Sequence, residues 1–136
     1  MKANVHRVDL HHAHLFASDI EATIVWWQHH LGASILFDGE LAGVRNVLLA
    51  VGSGRLNIYD QAPRGTERGS IHHLGVRVTD LGAVWARLQA DGVTSRHGLR
   101  EQAGWRYVMV AAPDDVLVEL FEFDDPASPL NVDGRR

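Results

Sequence analysis

The chain has 136 residues, 46% of them hydrophobic, so it is long enough for one sizeable core and too short for two independent domains. The absence of cysteine excludes disulfides and thiolate metal ligands, and a net charge of -4 without a block of Lys and Arg argues against a nucleic-acid partner. No apolar run reaches the roughly 18 residues of a membrane helix, and the start lacks a signal-peptide stretch. We therefore expect one globular domain over residues 1–136, in the cytoplasm and without a membrane partner.

The sequence contains an internal repeat. The stretch HHAHLFASDIEATIVWWQHHLGA aligns with HHLGVRVTDLGAVWARLQADGV further along the chain. His73 follows His12 by 61 positions, and Asp80 follows Asp19 by the same number. Two related modules are therefore expected, at about residues 8–62 and 70–123. Residues 124–136 are polar, contain two prolines and are expected to form a loose C-terminal tail.

The first predicted element of each module is a strand. In the first module His12 and His14 alternate with Ala13 and Leu15, and in the second module His73 occupies the position of His12. Alternation places one side-chain set towards the core and the other on an open face. His12 and His73 are therefore expected on the open faces of equivalent strands.

A helix is predicted after each of these strands. Ser18 and Glu21 have the spacing of a capping box at the start of the first helix, and Gly32 is expected to end it. Gly92 is expected to end the second helix. Apolar residues recur at helical spacing in both segments: Ile20, Ile24, Trp27, Leu31, Leu81, Val84, Trp85 and Leu88. Each helix is therefore expected to cover a sheet.

Three further strands are predicted after each helix. They are SILFD (34–38), VRNVLLAV (44–51) and RLNIYD (55–60), then VTSRHG (93–98), WRYVMVA (105–111) and VLVELFEF (116–123). Gly-Ser-Gly at 52–54 and Pro-Asp-Asp at 113–115 predict the turns before the last strand of each module. The predicted fold class is α+β, with two βαβββ modules.

Glu119 lies in the apolar strand VLVELFEF, where an ionised carboxylate is costly unless it has a partner. A metal ion bound by His12, His73 and Glu119 would be such a partner. Two neutral imidazoles and one carboxylate also leave coordination positions open, as catalytic sites require. A surface histidine or a solvated glutamate is the commoner case for each residue alone, but their related positions in the repeat favour a metal site.

The repeated motifs HAHLFASD, HLGVRVTD, WWQHHLG and APDDVLVEL resemble those of the vicinal oxygen chelate superfamily, over about residues 8–123. That superfamily includes glyoxalases, bleomycin resistance proteins and extradiol dioxygenases. The resemblance implies a glyoxalase-like cupped mixed sheet, a homodimer, and one divalent metal on His12, His73 and Glu119 with Asn57 at the fourth position. Glyoxalase I-like members typically have glutamate at this fourth position. The side-chain amide of Asn57 and the stretch GVRNVLLAVGSGRLNIYDQAP instead resemble the corresponding parts of methylmalonyl-CoA epimerases.

The expected function is a metal-dependent isomerase or lyase of the glyoxalase or epimerase kind, which transfers a proton next to a carbonyl. The candidates for the base are Glu119, His14, Asp38 and Glu40. The residues expected to bind the small-molecule substrate are Arg45, Tyr59, Arg77, Trp105 and Tyr107. The ligand set suits Zn, Ni, Co, Mn or Fe(II).

Two alternatives remain open. Extradiol dioxygenases resemble this chain in their three metal ligands, and this alternative would make the protein an Fe(II) dioxygenase. However, Met109 stands where that group has a tyrosine, and the chain has one pair of modules instead of two. Other members bind drugs or toxins without turnover, although such binders usually lack the His and Glu set. Undisturbed ligand affinity in a metal-free preparation would identify a binding protein.

Overall fold

The computed structural model describes residues 8–67, 69–102, 104–123, 126–128 and 131. The chain divides into two compact units, Met1–Arg64 and Gly65–Arg136. Most of the predicted tail, 124–136, lies outside the described residues, and the single domain over 1–136 stays a prediction. No helix in the described ranges is both long enough and apolar enough to cross a membrane.

The first unit contains a four-stranded mixed sheet and one helix. Its elements are β1 (Ala13–Phe16), α1 (Ile20–Leu31), β2 (Ser34–Leu41), β3 (Val44–Val51) and β4 (Gly54–Tyr59). The strand order is β1-β4-β3-β2, with β1 parallel to β4 and the other pairs antiparallel. Ala42 and Gly43, both with positive φ, form the tight turn between β2 and β3.

The second unit repeats this arrangement. Its elements are β5 (Leu74–Arg77), α2 (Leu81–Ala90), β6 (Arg100–Gln102), β7 (Trp105–Ala112) and β8 (Val116–Phe123). The strand order is β5-β8-β7-β6, again with one parallel pair, β5 and β8. The predicted turn at 113–115 is a short irregular turn in which Asp114 and Asp115 both have a φ of 60°. The α+β class and the βαβββ repeat are confirmed.

Each sheet has one face directed towards the helix of its own unit. In the first unit this helix face includes the buried Val47, Leu49 and Ile58, and in the second it includes Val108 and Leu120. The helices contribute the buried side chains of Ile20, Ile24, Trp27, Leu81, Trp85 and Leu88. Burial of these apolar stripes holds each helix on its sheet. The side chains that alternate with the helix-face residues form the opposite face.

Aspartates begin both helices. The carboxylates of Asp19 and Asp80 accept hydrogen bonds from the backbone N–H groups of Ala22 and Ala83, at 3.1 and 3.3 Å. The predicted capping box of Ser18 and Glu21 is therefore wrong, because Asp19 is the N-cap. These aspartates are the pair that the repeat aligns, so the cap belongs to the repeated pattern.

The predicted strand at 93–98 is also wrong. The backbone N–H of Gly98 donates to the hydroxyl of Ser95 at 3.2 Å, and Gly98 adopts a positive φ of 68°. This local turn competes with strand pairing. The strand of this region is the short β6, at Arg100–Gln102.

Candidate functional site

The opposite face of the first unit brings together His12, His14, Asn57 and Tyr59. His14 is aligned with Asn57 in the parallel pair of β1 and β4, so their side chains point to the same side of the sheet. The ring of His14 lies 5.9 Å from that of His12 and 5.0 Å from that of Tyr59, measured between centroids. Three sequence-predicted site residues therefore surround His14.

Asn57 is the most buried of these polar residues, with 9% of its surface exposed. Its amide nitrogen donates to the Oδ1 of Asn46 at 3.1 Å, and the amide nitrogen of Asn46 donates to the carbonyl of Val44 at 2.9 Å. The Oδ1 of Asn57 accepts no hydrogen bond from the described residues. A buried acceptor without a donor is costly, and a bound cation or a substrate donor would remove that cost.

His73 and Glu119 lie together on the opposite face of the second unit. Gly75 is aligned with Glu119 across β5 and β8, and His73 precedes Gly75 by two positions on the same side. The Nε2 of His73 is 3.8 Å from the Oε1 of Glu119, and their side chains are 32% and 17% exposed. Donor atoms each about 2.1 Å from one ion are at most about 4.2 Å apart, so this separation permits shared coordination.

Aromatic and cationic residues occupy the same face as Glu119. Met109 is aligned with Glu119, and Tyr107 and Trp105 follow at two-residue intervals along β7. The indole Nε1 of Trp105 is buried and finds no acceptor among the described residues. The guanidinium of Arg77 lies 4.6 Å from the centroid of the Phe123 ring. The predicted Arg77, Trp105 and Tyr107 therefore share one face with His73 and Glu119.

Arg45 lies on the helix face of the first sheet, away from His14 and Asn57. Its guanidinium donates to both carboxylate oxygens of Asp38, at 2.9 and 2.8 Å, and contacts the carboxylate of Glu21 in α1. The hydrogen bond from Arg45 lowers the pKa of Asp38. Glu40 is aligned with Arg45, on the same side. Within the first unit, Arg45, Asp38 and Glu40 therefore lie on the other face of the sheet from the predicted site residues His14, Asn57 and Tyr59.

His14 is a base candidate that lies beside the predicted site residues His12, Asn57 and Tyr59. Partial burial lowers the pKa of His14, and the neighbouring His12 lowers it further. The imidazole is therefore neutral near physiological pH and can accept a proton. Glu119 remains the other candidate, on the face that also carries His73.

The repeat aligns two pairs of adjacent histidines, but no role is predicted for His11 and His72. The Nδ1 atoms of His11 and His12 are 2.8 Å apart, and those of His72 and His73 are 2.7 Å apart. The rings are nearly perpendicular in both pairs, at 85° and 81°. The HH doublet at 11–12 and again at 72–73 is the sequence signal for these paired histidines.

Each unit carries donor atoms of the kinds that bind divalent ions. In His12 and His73 the Nδ1 atom is engaged by the preceding histidine, which leaves Nε2 as the coordinating atom. The Nε2 of His73 and Glu119 already lie close together, and the buried Oδ1 of Asn57 is an oxygen donor. Imidazole, carboxylate and amide groups are all donors that suit borderline and hard divalent metals.

Comparison with known proteins gives matches to one superfamily. Residues 9–120 match the family model of the Glyoxalase/Bleomycin resistance protein/Dioxygenase superfamily. A glyoxalase family protein from Enterococcus faecalis is 26% identical, with a TM-score of 0.69 over 84% of this chain and 97% of that chain. A search of curated protein sequences found no match.

Two further solved structures are similar to the chain. The antibiotic binding protein TnmS3 from a Streptomyces species is 25% identical, with a TM-score of 0.71 over 88% of this chain and 100% of that chain. The fosfomycin resistance protein FosX from Listeria monocytogenes, solved with Mn(II) and a dihydroxypropylphosphonic acid, is 18% identical. Its TM-score is 0.69 over 85% of this chain and 90% of that chain, a likeness of fold alone.

Proposed function

Since the chain belongs to the Glyoxalase/Bleomycin resistance protein/Dioxygenase superfamily, we propose that it is a divalent-metal-dependent enzyme that transfers a proton next to a carbonyl. Such a reaction is that of an isomerase or lyase of the glyoxalase or epimerase kind. The observation that carries the proposal is the 3.8 Å separation between the Nε2 of His73, just before β5, and the Oε1 of Glu119, in the adjacent strand β8. His12 and Asn57 complete the proposed ligand set.

The reaction needs a Lewis acid and a base. When bound, a divalent ion polarises a carbonyl and makes the adjacent C–H group more acidic. His14 is the proposed base, because its neutral imidazole shares a sheet face with His12 and Asn57. Glu119 supplies the negative charge of the ligand set and is the second candidate for the base.

The remaining site residues would bind and orient the small-molecule substrate. Trp105 has a buried indole N–H that an oxygen acceptor of the substrate would satisfy. Tyr59, Arg77 and Tyr107 add aromatic surface and a positive charge on the faces that carry the proposed ligands. These groups favour a substrate with an apolar part and at least one oxygen acceptor.

The proposal also covers the identity of the metal ion, the oligomeric state and the cellular location of the protein. The His and carboxylate set suits Zn, Ni, Co, Mn or Fe(II). FosX, the fosfomycin resistance protein of the same fold, was solved with Mn(II), which supports a first-row ion. We further propose a homodimer that acts in the cytoplasm as a single domain, which the lack of cysteine suits.

A second candidate function is a non-catalytic binding protein. TnmS3 is an antibiotic binding protein, and it is similar to this chain over its entire length at 25% identity. A binding protein would hold its ligand without metal and release it unchanged. The donor set of His12, His73 and Glu119 would then have no role, so the metal-dependent reaction is the preferred proposal.

The test is elemental analysis of the purified chain together with solvent deuterium exchange into a panel of α-acidic carbonyl compounds. We expect about one ion per chain, and loss of both ion and exchange in His12→Ala and Glu119→Ala. His97→Ala and Glu101→Ala serve as matched controls, because these exposed residues lie outside the proposed site. A folded wild-type chain that retains no metal would overturn the proposal in favour of a binding protein. Iron together with oxygen consumption on catechols would instead identify a dioxygenase.

A further inference from the structure

In each unit a histidine that is not a proposed metal ligand contacts one that is. We call His11 and His72 the outer histidines, and His12 and His73 the ligand histidines. Each outer ring meets its ligand ring through the two Nδ1 atoms, at 2.8 and 2.7 Å. The same contact occurs in both units, at positions that the repeat makes equivalent.

A hydrogen bond between two Nδ1 atoms requires one protonated and one unprotonated nitrogen. A neutral imidazole carries a single N–H, so a histidine that binds an ion through Nε2 carries its proton on Nδ1. In each pair the ligand histidine must then donate, and the outer histidine must accept through Nδ1. The outer ring carries its own proton on Nε2.

We propose that His11 and His72 are positioning residues that select the metal-binding tautomer and ring orientation of His12 and His73. This inference rests on the proposed function, since it concerns the same ion. Metal-bound histidines usually donate their second N–H to a carboxylate, a backbone carbonyl or water, and loss of that partner typically weakens metal binding. Here another imidazole takes the place of that acceptor in both units.

The first pair has an additional support. The Nε of Arg55 donates to the backbone carbonyl of His11 at 2.8 Å, which fixes the chain just before β1 begins. Both outer histidines are exposed, so little core packing depends on their rings. Substitutions at these positions can therefore test hydrogen bonding with small effects on folding.

The experiment measures the Kd for Co(II) and Zn(II) by competition with a chromophoric chelator. We expect His11→Ala and His72→Ala to weaken binding by about 10–100-fold. His11→Asn and His72→Asn should recover most of the affinity, because the Oδ1 of asparagine takes the position of the histidine Nδ1 and accepts the same N–H. His97→Ala is the control for loss of an exposed histidine, and melting temperatures of the metal-free variants verify folding.

Nitrogen-15 spectra of the zinc-loaded chain provide a second measurement. The spectra should show His12 and His73 protonated at Nδ1, with His11 and His72 protonated at Nε2. Alanine variants that bind as tightly as wild type, or asparagine variants as weak as the alanine ones, would overturn the acceptor role. A wild-type chain that binds neither ion would overturn the proposed function and this inference with it, so the two failures are distinguishable.

Discussion

The two units share the same fold but differ in the side chains on the opposite face of each sheet. An aspartate begins each helix, a histidine pair precedes each first strand, and Arg45 in β3 corresponds to Arg106 in β7. On the opposite face, however, His14 corresponds to Gly75, and Asn57 corresponds to Glu119. The repeat keeps the residues that build the fold and the first proposed ligand of each unit, while the residues beside that proposed ligand differ.

This difference sets the charge of the proposed ligand set. The first unit supplies only neutral donors, and the second supplies the single carboxylate of Glu119. A divalent ion on these four residues would retain a net positive charge, which favours an enolate-like oxygen at the site. Exchange of residues between equivalent positions therefore tests how much each unit contributes to metal binding and proton transfer.

The largest effect is expected from His14→Gly, which gives the first strand the residue of the second. Loss of a positioned general base should slow solvent deuterium exchange by about 10²–10⁴-fold. The metal content should remain unchanged, because His14 is outside the proposed ligand set. His14→Gln is the size-matched variant and should be equally slow. Unchanged exchange in both variants would transfer the role of base to Glu119.

Asn57→Asp is expected to have opposite effects on metal binding and stability. A second carboxylate should tighten the metal by roughly tenfold or more, in line with the preference of divalent ions for anionic oxygen. The metal-free chain should lose about 1–3 kcal/mol of unfolding free energy, because the Oδ1 of Asn46 loses its donor. Chelator competition and urea unfolding measure the two effects. Affinity equal to wild type would show that residue 57 does not contact the ion.

A smaller effect is expected where the arginines of the two units bind their carboxylates. In the second unit Arg106 donates to Glu122 at 2.6 Å, and Glu122 also accepts from the backbone N–H groups of Asp80 and Leu81 at the start of α2. Glu122→Gln should lower the unfolding free energy by about 1 kcal/mol. Asp38→Asn should lower it less, because the side chain of Asp38 is more exposed, at 38% against 22%. Equal losses would contradict this ranking.

The smallest effect concerns the pH dependence of the same contact. Burial tends to raise the pKa of Glu122, but hydrogen bonds from Leu81, Arg106 and Asp80 outweigh burial and lower it. A folded-state pKa below the unfolded value stabilises the fold at higher pH, and this stabilisation is lost as the pH falls through the folded pKa. The difference in unfolding free energy between wild type and Glu122→Gln should therefore be full above the unfolded pKa of about 4.3 and shrink in more acidic solution. A constant difference would exclude this linkage.

Most of the fold was predictable from local patterns. Helix periodicity placed the buried stripe of α1, and alternation placed His14 on the face away from the core. The position of Arg45 was not predictable, because VRNVLLAV is apolar at both odd and even positions. Alternation then leaves open which side of β3 meets the helix. The burial of Val47 and Leu49 and the ion pair between Arg45 and Glu21 of α1 assign Arg45 to the helix face.

The repeat, the equivalence of His12 with His73 and the family of the chain all follow from the amino-acid sequence. Strand alternation acts over two residues and helix periodicity over four, so both are legible in the local sequence. The approach of Glu119 to His73 is visible only in the tertiary structure. The same is true of the Oδ1 of Asn57, which has no donor among the described residues. These contacts join residues far apart in the chain, and strand register and side-chain rotamers, which no local pattern encodes, bring them together.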